Sequence, residues 1–319
     1  MPDAPSWYRW LLLFGVWLLY GSFGLVATSL APLVRPIEID LGLSHAAMGT
    51  VMGAWQLIYI ASAIPCGILL DKLGPRWALT IGVSFIAASA LARGIADSFL
   101  ELLLAVMLFG LGGPIVSAGA PKVVTGWFTG SSRGLAMGIY MTGPAIGGIV
   151  SLTLTHSLLL PVLESWRSVL FLWSGFCVMA AVIWLGISSH PALRRPDEEH
   201  TASAGLPQTQ VLGLLLRQPA VILVLLMSIG VFLFNHGLNN WLPELLRANG
   251  MTLVEAGYWA AIPTVIGIAG SLLIPRLATP GRRFNILIAL SLSAAGASLL
   301  LHFQETPLLF SGLLLRHSD

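Results

Sequence analysis

The chain alternates long stretches that lack charged residues with short segments that carry the charges. Nine stretches contain no Asp, Glu, Lys or Arg, and most are long enough to span a bilayer, which needs about 20 apolar residues. A tenth would reach about halfway across. The pattern predicts an all-α polytopic membrane protein with about nine to ten transmembrane helices. The stretches are residues 10–34, 41–70, 77–92, 102–121, 134–163, 168–193, 218–243, 256–275 and 284–304, followed by 306–315.

Composition supports a membrane protein and excludes several other classes. Of the 319 residues, 56% are hydrophobic and 9% are charged, and the mean hydropathy is +0.85. A soluble domain carries about 25% charged residues, so this chain has too few charges to cover a water-facing surface. The net charge of +2 reflects loop charges and predicts no nucleic-acid partner; the expected partner is the lipid bilayer. Cys66 and Cys177 lie inside predicted spans without metal-ligand or redox spacing, so no metal and no cofactor are predicted.

The basic residues indicate how the chain is oriented. With a cytoplasmic N-terminus, 12 of the 16 Lys and Arg residues fall in cytoplasmic segments and 4 in outside segments. Cytoplasmic loops of membrane proteins carry the excess of positive charge, so the N-terminus is predicted to be cytoplasmic. Residues 10–34 are too long for the apolar part of a signal peptide, and we expect them to remain as the first span.

A polar segment divides the predicted spans into two groups. Residues 189–218 contain three prolines and a cluster of charges, a composition typical of a flexible linker. Six spans precede this segment, and three and a half follow it. We therefore predict an N-terminal six-helix half at residues 1–189, a cytoplasmic linker at 190–218, and an incomplete C-terminal half at 219–319.

Short patterns in the first group of spans recur in the second. The tripeptide at 42–44, Gly-Leu-Ser, precedes the second predicted span, and Gly-Met-Thr at 250–252 precedes the eighth, 208 residues later. Each ends in a residue type that caps helix N-termini. Gly-Pro-Arg at 74–76 has a degenerate counterpart, Gly-Arg-Arg at 281–283, at an offset of 207. The agreement in order and spacing predicts two related halves.

One charged segment joins the second and third predicted spans. Its residues Gly67, Asp71, Gly74 and Arg76 have the spacing G-x-x-x-D-x-x-G-x-R. In this position, the spacing resembles the signature loop of the major facilitator superfamily, whose members move solutes across membranes. The resemblance implies a gating loop that latches the two halves in the outward-facing state. The alternative is an ordinary charged loop that obeys the positive-inside rule.

The fifth predicted span carries a second motif. Gly143, Pro144, Gly147 and Gly148 resemble the family's fifth-helix motif, which is often associated with antiporters. Pro144 removes a backbone donor and kinks a helix, and the glycines permit close packing against a neighbour. The upstream glycine, Gly138, is displaced from its usual spacing. A structural kink with a packing face is therefore favoured, and antiport is not predicted.

Polar side chains inside the predicted spans are the candidates for a solute path. Each has a structural alternative: packing for the tyrosines, interhelical hydrogen bonds for the asparagines, and extension to the cytoplasmic interface for Lys122. If Lys122 or Arg93 faces the path, charge pairing favours an anionic solute. The candidates are Tyr20, Gln56, Tyr59, Lys122, Asn235, His236 and Asn239.

The middle of the predicted spans holds no Asp or Glu, which argues against proton transfer through a buried carboxylate. Many proton-coupled members of the resembled family have an arginine in the fourth helix, four residues before a glycine. This chain has Val106 at that distance from Gly110. A coupling proton or ion is therefore left open. The spans also hold no cluster of His, Asp and Glu with catalytic spacing, so an enzyme is not predicted.

The resemblance implies secondary active transport of a small solute, expected to be a small organic or inorganic anion, by alternating access. It also implies the inner membrane of a bacterium and, at full length, a monomer. The region 112–122 and the fifth-span motif look most like the cyanate/nitroimidazole-type branch. Nitrate porters are the neighbouring alternative, disfavoured because residues 41–70 and 256–275 contain no arginine.

The family normally has twelve helices, whereas this chain ends within the tenth predicted span. We therefore expect a C-terminally truncated transporter. The alternative is a transport-inactive membrane sensor or scaffold, or a non-functional fragment of a transporter.

Overall fold

The structure is a computed structural model that describes residues 7–189, 213–214, 216–277 and 281–302. Within these residues the regular secondary structure is helical, because in lipid every backbone polar group must be satisfied within its own segment. Seven helical stretches are long and apolar enough to cross a membrane, and a shorter apolar helix follows at Phe284–Ala297. The helices are α1 (Tyr8–Thr28), α2 (Val34–Leu41), α3 (His45–Ile95), α4 (Phe99–Trp127), α5 (Gly130–Leu154), α6 (Leu160–Leu163), α7 (Trp166–Ile187), α8 (Pro219–Ala248), α9 (Leu253–Leu277) and α10 (Arg283–His302).

Helix α3 contains the second and third predicted spans. Its 51 residues are interrupted by Gly74, whose torsion angles are non-helical (φ 70°, ψ 166°). Pro75 follows, and proline suits the first turn of a helix. Tyr59 before the break and Ile86 after it both approach glycines 112–113 of α4, so the two arms of α3 lie side by side. The loop predicted between the second and third spans is therefore very short, because the single glycine Gly74 reverses the chain direction.

Side-chain caps begin α3 and α9 in the same way. The Ser44 hydroxyl accepts the N–H of the third residue of α3 at 3.2 Å. The Thr252 hydroxyl accepts the N–H of Glu255 at 3.3 Å, and the Glu255 carboxylate accepts the N–H of Thr252 at 2.9 Å, which makes a capping box. Gly42 and Gly250, which precede these caps, both have positive φ, 63° and 93°. The two expected caps are confirmed.

The described chain forms two compact units, one ending at Ile268 and the other beginning at Ala269. The core of the first unit lies among α1, both arms of α3, α4, α5 and α7, where Phe109, Phe128 and Trp184 are fully buried. The second unit contains α10. The predicted division of the chain at the linker stays a prediction, because the linker lies almost wholly outside the described residues. The tenth predicted span, residues 306–315, also lies outside them.

The first unit has two ends, which we name after residues that lie there. At the Gly74 end, the Tyr8 hydroxyl at the start of α1 donates to the carbonyl of Ile187 at the end of α7, at 2.6 Å. At the Arg93 end, Arg167 at the start of α7 forms ion pairs with Asp40 and Asp97. The distribution of basic residues predicts that the Gly74 end is cytoplasmic.

Candidate functional site

The residues of the gating-loop motif lie where α3, α4 and α7 meet. The Lys122 ammonium group of α4 lies 3.0 Å from the Asp71 carboxylate. The indole N–H of Trp184 in α7 donates to the carbonyl of Arg76 at 3.0 Å, and the Arg76 guanidinium lies 5.1 Å from the ring centroid of Trp77. The motif thus ties three helices of the first unit together. Lys122, expected on the solute path, is engaged by the motif at the Gly74 end.

The fifth-span motif lies where α5 crosses α1. An added methyl group at Gly24 of α1 would overlap the backbone of Pro144, and one at Gly147 would overlap the carbonyl oxygen of Gly21. At Gly143 the added atom would lie 2.8 Å from a carbonyl oxygen of α1. Backbones approach this closely only where neither helix has a side chain at the contact. The geometry agrees with a packing face.

A hydrogen bond and a further close contact flank this crossing. The indole N–H of Trp17 donates to the Thr142 hydroxyl at 3.0 Å. Gly148 faces the Thr28 hydroxyl, which would lie 3.2 Å from an added Cβ. Close packing at the glycines and the hydrogen bond from Trp17 to Thr142 thus hold α1 against α5.

Aromatic rings form a continuous cluster in the middle of the first unit. Tyr20 of α1 stacks on Tyr140 of α5 with ring centroids 5.7 Å apart, and its ring lies 5.6 Å from that of Phe23. Phe23 meets Trp55 of α3 at 6.2 Å. Two of these rings, those of Tyr20 and Phe23, are only partly buried. We name this set the central cluster; its members are Tyr20, Phe23, Trp55, Tyr59, Phe109, Tyr140 and His236.

Two polar groups of the central cluster come from α3 and α8. The Tyr59 hydroxyl and the Ser117 hydroxyl of α4 are 2.6 Å apart. The His236 ring of α8 meets Trp55 edge-on at 5.3 Å and stacks on Phe232 at 5.6 Å. The structure therefore brings Tyr20, Tyr59 and His236, three of the predicted path residues, into one cluster.

The structure shows less about three other predicted path residues, Gln56, Asn235 and Asn239. The Gln56 carbonyl oxygen is buried and has no hydrogen-bond partner among the described residues, which is uncommon for a buried polar atom. Asn235 lies beside His236 on α8 and is exposed. The side chain of Asn239 lies outside the described part of the chain.

Arg93 is a buried cation near the end of α3. It is 1% exposed, and its guanidinium donates to the Val26 carbonyl at 2.9 Å and to the Ser29 hydroxyl at 3.2 Å. The Nε atom has no hydrogen-bond partner within the described ranges. A small cavity of about 10 Å³, room for about one water molecule, is lined by Arg93, Trp55 and Asn240 among others.

Contacts between the first six spans and α8 are found toward the Arg93 end. The Trp241 ring of α8 lies 4.9 Å from the His45 ring, and an added Cβ at Gly49 would lie 3.2 Å from the Trp241 side chain. His45 in turn contacts the Glu38 carboxylate at 2.6 Å. The first turns of α8, by contrast, expose large apolar side chains such as Leu223. The described structure is closed toward the Arg93 end.

Sequence reasoning did not select Trp55, Ser117 or Tyr140 as site residues. Trp55 and Tyr140 are aromatic residues in apolar spans, and such residues are usually packing residues. Trp55 lies four positions before Tyr59 and shares its helix face, which was an available signal. No signal within α4 or α5 indicated that Ser117 and Tyr140 would meet the tyrosines of other helices.

Comparison with known proteins identifies the family. The chain matches the family model of the Major Facilitator Superfamily over residues 12–315. It belongs to this superfamily. Among solved structures, a bacterial homolog of the human lysosomal transporter Spinster, in an inward-facing and unoccupied conformation, matches with a TM-score of 0.69 and 21% identity, covering 86% of this chain and 63% of the other. The all-α major facilitator fold is confirmed, and membership supports a transporter rather than an enzyme.

Curated relatives in the superfamily carry the names of sugar-acid transporters. A probable galactarate/D-glucarate transporter of Escherichia coli is 28% identical over 73% of this chain and 58% of its own length. Its Bacillus subtilis counterpart is 25% identical over 83% of this chain and 63% of its own length. A probable L-galactonate transporter of Escherichia coli is 27% identical over 74% of this chain and 54% of its own length.

These relatives change the expected branch of the superfamily. The chain resembles galactarate/D-glucarate and galactonate transporters, so the predicted cyanate/nitroimidazole-type branch was wrong. That prediction relied on glycine and proline patterns in α4 and α5, which report how helices pack and not which solute is bound. The chain spans 54–63% of the length of the three relatives described above.

Proposed function

We propose that this protein takes part in secondary active transport of a small organic anion, of the sugar-acid class, across the inner membrane by alternating access. The observation that carries the proposal is the central cluster. It joins α1, α3, α4 and α5 of the first half to α8, the first helix of the second half. A solute bound there would contact both of the parts that move relative to each other in a transporter.

The chemistry of the central cluster suits a sugar acid. Ligand sites combine aromatic and apolar walls with a few polar groups that fix orientation. The aromatic faces of Tyr20 and Trp55 can pack on the carbon skeleton, while the hydroxyls of Tyr59 and Ser117 can exchange hydrogen bonds with sugar hydroxyls. The names of the relatives support an anion of this class. The closed Arg93 end and the predicted cytoplasmic Gly74 end support an inward-facing state.

Uptake by vesicles containing the purified protein tests this function. We expect labelled galactarate and D-galactonate to accumulate, and galactitol, a neutral analogue, to compete poorly. Tyr59→Phe removes the hydroxyl that contacts Ser117 and that we propose to bind the solute. Loss of one hydrogen bond to the solute, about 0.5–1.5 kcal/mol, should raise KM roughly two- to tenfold.

The matched control is Tyr258→Phe, which removes the hydroxyl of an exposed tyrosine on α9 and should leave KM unchanged. Equal KM values for the two variants would exclude Tyr59 from the site. Binding of a sugar acid without any flux would favour the sensor or scaffold alternative.

The gating role of the motif has a separate test. Asp71→Asn removes the ion pair between Asp71 and Lys122. Because the Asp71 side chain is largely exposed, the free energy of unfolding should change by less than about 1 kcal/mol. If Asp71 latches the two halves, the uptake rate should fall, by up to about tenfold for 1.4 kcal/mol. Uptake rate and thermal stability of the variant measure the two effects separately.

The charge-swapped double variant, Asp71→Lys with Lys122→Asp, restores the ion pair within the first half. It should stay slow if Asp71 acts on the second half. Recovery of the normal rate would show that Asp71 acts through Lys122 alone, and the latch role would be abandoned.

A further inference from the structure

We infer that Arg93, together with Asn240, forms a carboxylate-binding subsite at the Arg93 end of the solute path; this inference rests on the proposed transport of an organic anion. The two residues come from different halves of the chain, α3 and α8. They line one cavity with Trp55, which is also a member of the central cluster. The subsite therefore continues the central cluster toward the Arg93 end.

The bonding of Arg93 leaves capacity for an anion. A guanidinium has five N–H donors and stays charged, yet Arg93 is 1% exposed. Its described acceptors, the Val26 carbonyl and the Ser29 hydroxyl, are both uncharged and both bind Nη1. Nε is buried without a partner in the part of the chain that the structure describes. A carboxylate would supply the missing charge and accept from the fork of the guanidinium in a bidentate pair.

The charge of Arg93 is otherwise poorly compensated. No carboxylate lies within ion-pairing distance of Arg93 among the described residues. The Phe109 ring, 5.4 Å from the guanidinium carbon, offers a weak cation–π contact. Burying a charge without a counter-charge is unfavourable, and charged residues kept within membrane spans commonly mark solute pathways.

The cavity also indicates when the subsite is occupied. With room for about one water molecule, about 10 Å³, it is too small for a carboxylate while Trp241 and His236 of α8 rest against α3. Separation of α8 from α3 would enlarge it. The subsite therefore belongs to the state that is open at the Arg93 end, where it would receive the carboxylate of a solute entering from that side.

A purely structural role for Arg93 makes a different prediction. Its two hydrogen bonds go to the Val26 carbonyl in the last turn of α1 and to the Ser29 hydroxyl just after it, where the helix dipole favours a cation. If Arg93 only caps α1, substitutions should change stability and leave solute affinity intact. Asn240, on α8, should then have no effect on carboxylate binding.

Equilibrium binding of labelled galactarate to the purified full chain tests the subsite, with D-galactonate, acetate and galactitol as competitors. Arg93→Gln should weaken galactarate and D-galactonate binding about 10- to 100-fold, the effect of losing a charged hydrogen bond. Ser29→Ala is the matched control: it removes one structural partner of Arg93 and should leave affinity within about threefold. Galactitol should compete poorly with galactarate for binding to the wild-type protein.

A second variant, Asn240→Leu, leaves the bonds between Arg93 and α1 in place and should weaken binding about tenfold. Unchanged affinity in a folded Arg93→Gln variant overturns the subsite and leaves the proposed function standing. Failure of Arg93→Gln to fold, with unchanged affinity in Asn240→Leu, also overturns it. If the wild type takes up no sugar acid but binds acetate in an Arg93-dependent way, the sugar-acid function fails and the subsite stands. Absence of all carboxylate binding overturns both.

Discussion

Gly24→Ala is expected to destabilise the folded protein severely. The added methyl group would overlap the backbone of Pro144 in α5, and backbone atoms on both sides of the contact cannot move aside as a flexible side chain can. Overpacking of a core typically costs about 1–3 kcal/mol, and the upper end of this range is expected here. The temperature at which detergent-solubilised protein ceases to be monodisperse in size-exclusion chromatography measures the effect.

Gly53→Ala is the matched control for this prediction. Gly53 also lies inside a helix, α3, but an added Cβ there meets no atom within 4 Å. Alanine is favoured over glycine in a helix interior by roughly 0.5–1 kcal/mol, so stability should stay the same or rise slightly. Equal stability of the Gly24 and Gly53 variants would mean that α1 and α5 do not approach closely at Gly24 and Pro144.

Gly74→Ala is expected to damage the junction between the two arms of α3. With φ at 70° and ψ at 166°, Gly74 occupies a region of backbone torsion space that is essentially restricted to glycine. A side chain there costs about 1–3 kcal/mol. Because the reversal also positions Asp71 against Lys122, we expect loss of both thermal stability and uptake, measured on the same preparation.

Gly67, the other glycine of the motif, gives the comparison. It lies within the first arm of α3, and an added Cβ would meet no atom within 4 Å. Gly67→Ala should therefore leave stability unchanged or slightly raised. If Gly67→Ala proved as harmful to stability as Gly74→Ala, the backbone explanation would be wrong. Loss of uptake alone in Gly67→Ala would instead indicate that, in another state of the proposed transport cycle, the predicted C-terminal half approaches this glycine.

Local patterns predicted those features that depend on neighbouring residues. The spacing of Ser44 and Thr252 before apolar runs predicted their helix caps, because a cap bonds to an N–H within the next turn. The spacing from Gly67 to Arg76 predicted the superfamily. The same patterns did not predict that Lys122 pairs with Asp71, since that pair joins residues 51 positions apart in the chain.

The solute branch was mispredicted for a related physical reason. Gly143, Pro144 and Gly147 are shared by helices that cross closely, whatever solute they enclose, and the structure shows their contacts with α1. Side chains of the proposed site, such as Ser117 and Arg93, follow no local spacing rule. Their significance depends on which helices meet them.

By itself, the sequence determined the membrane class, the superfamily and the positions of the described spans, because uncharged length and turn chemistry are local properties of the chain. Only the tertiary structure decided which polar groups face one another. It placed Lys122 beside Asp71, assembled the central cluster from five helices, and set Arg93 against a cavity shared with Asn240. Such placements depend on how helices pack at glycine contacts such as Gly24 with Pro144, and packing is a property of pairs of segments far apart in the chain.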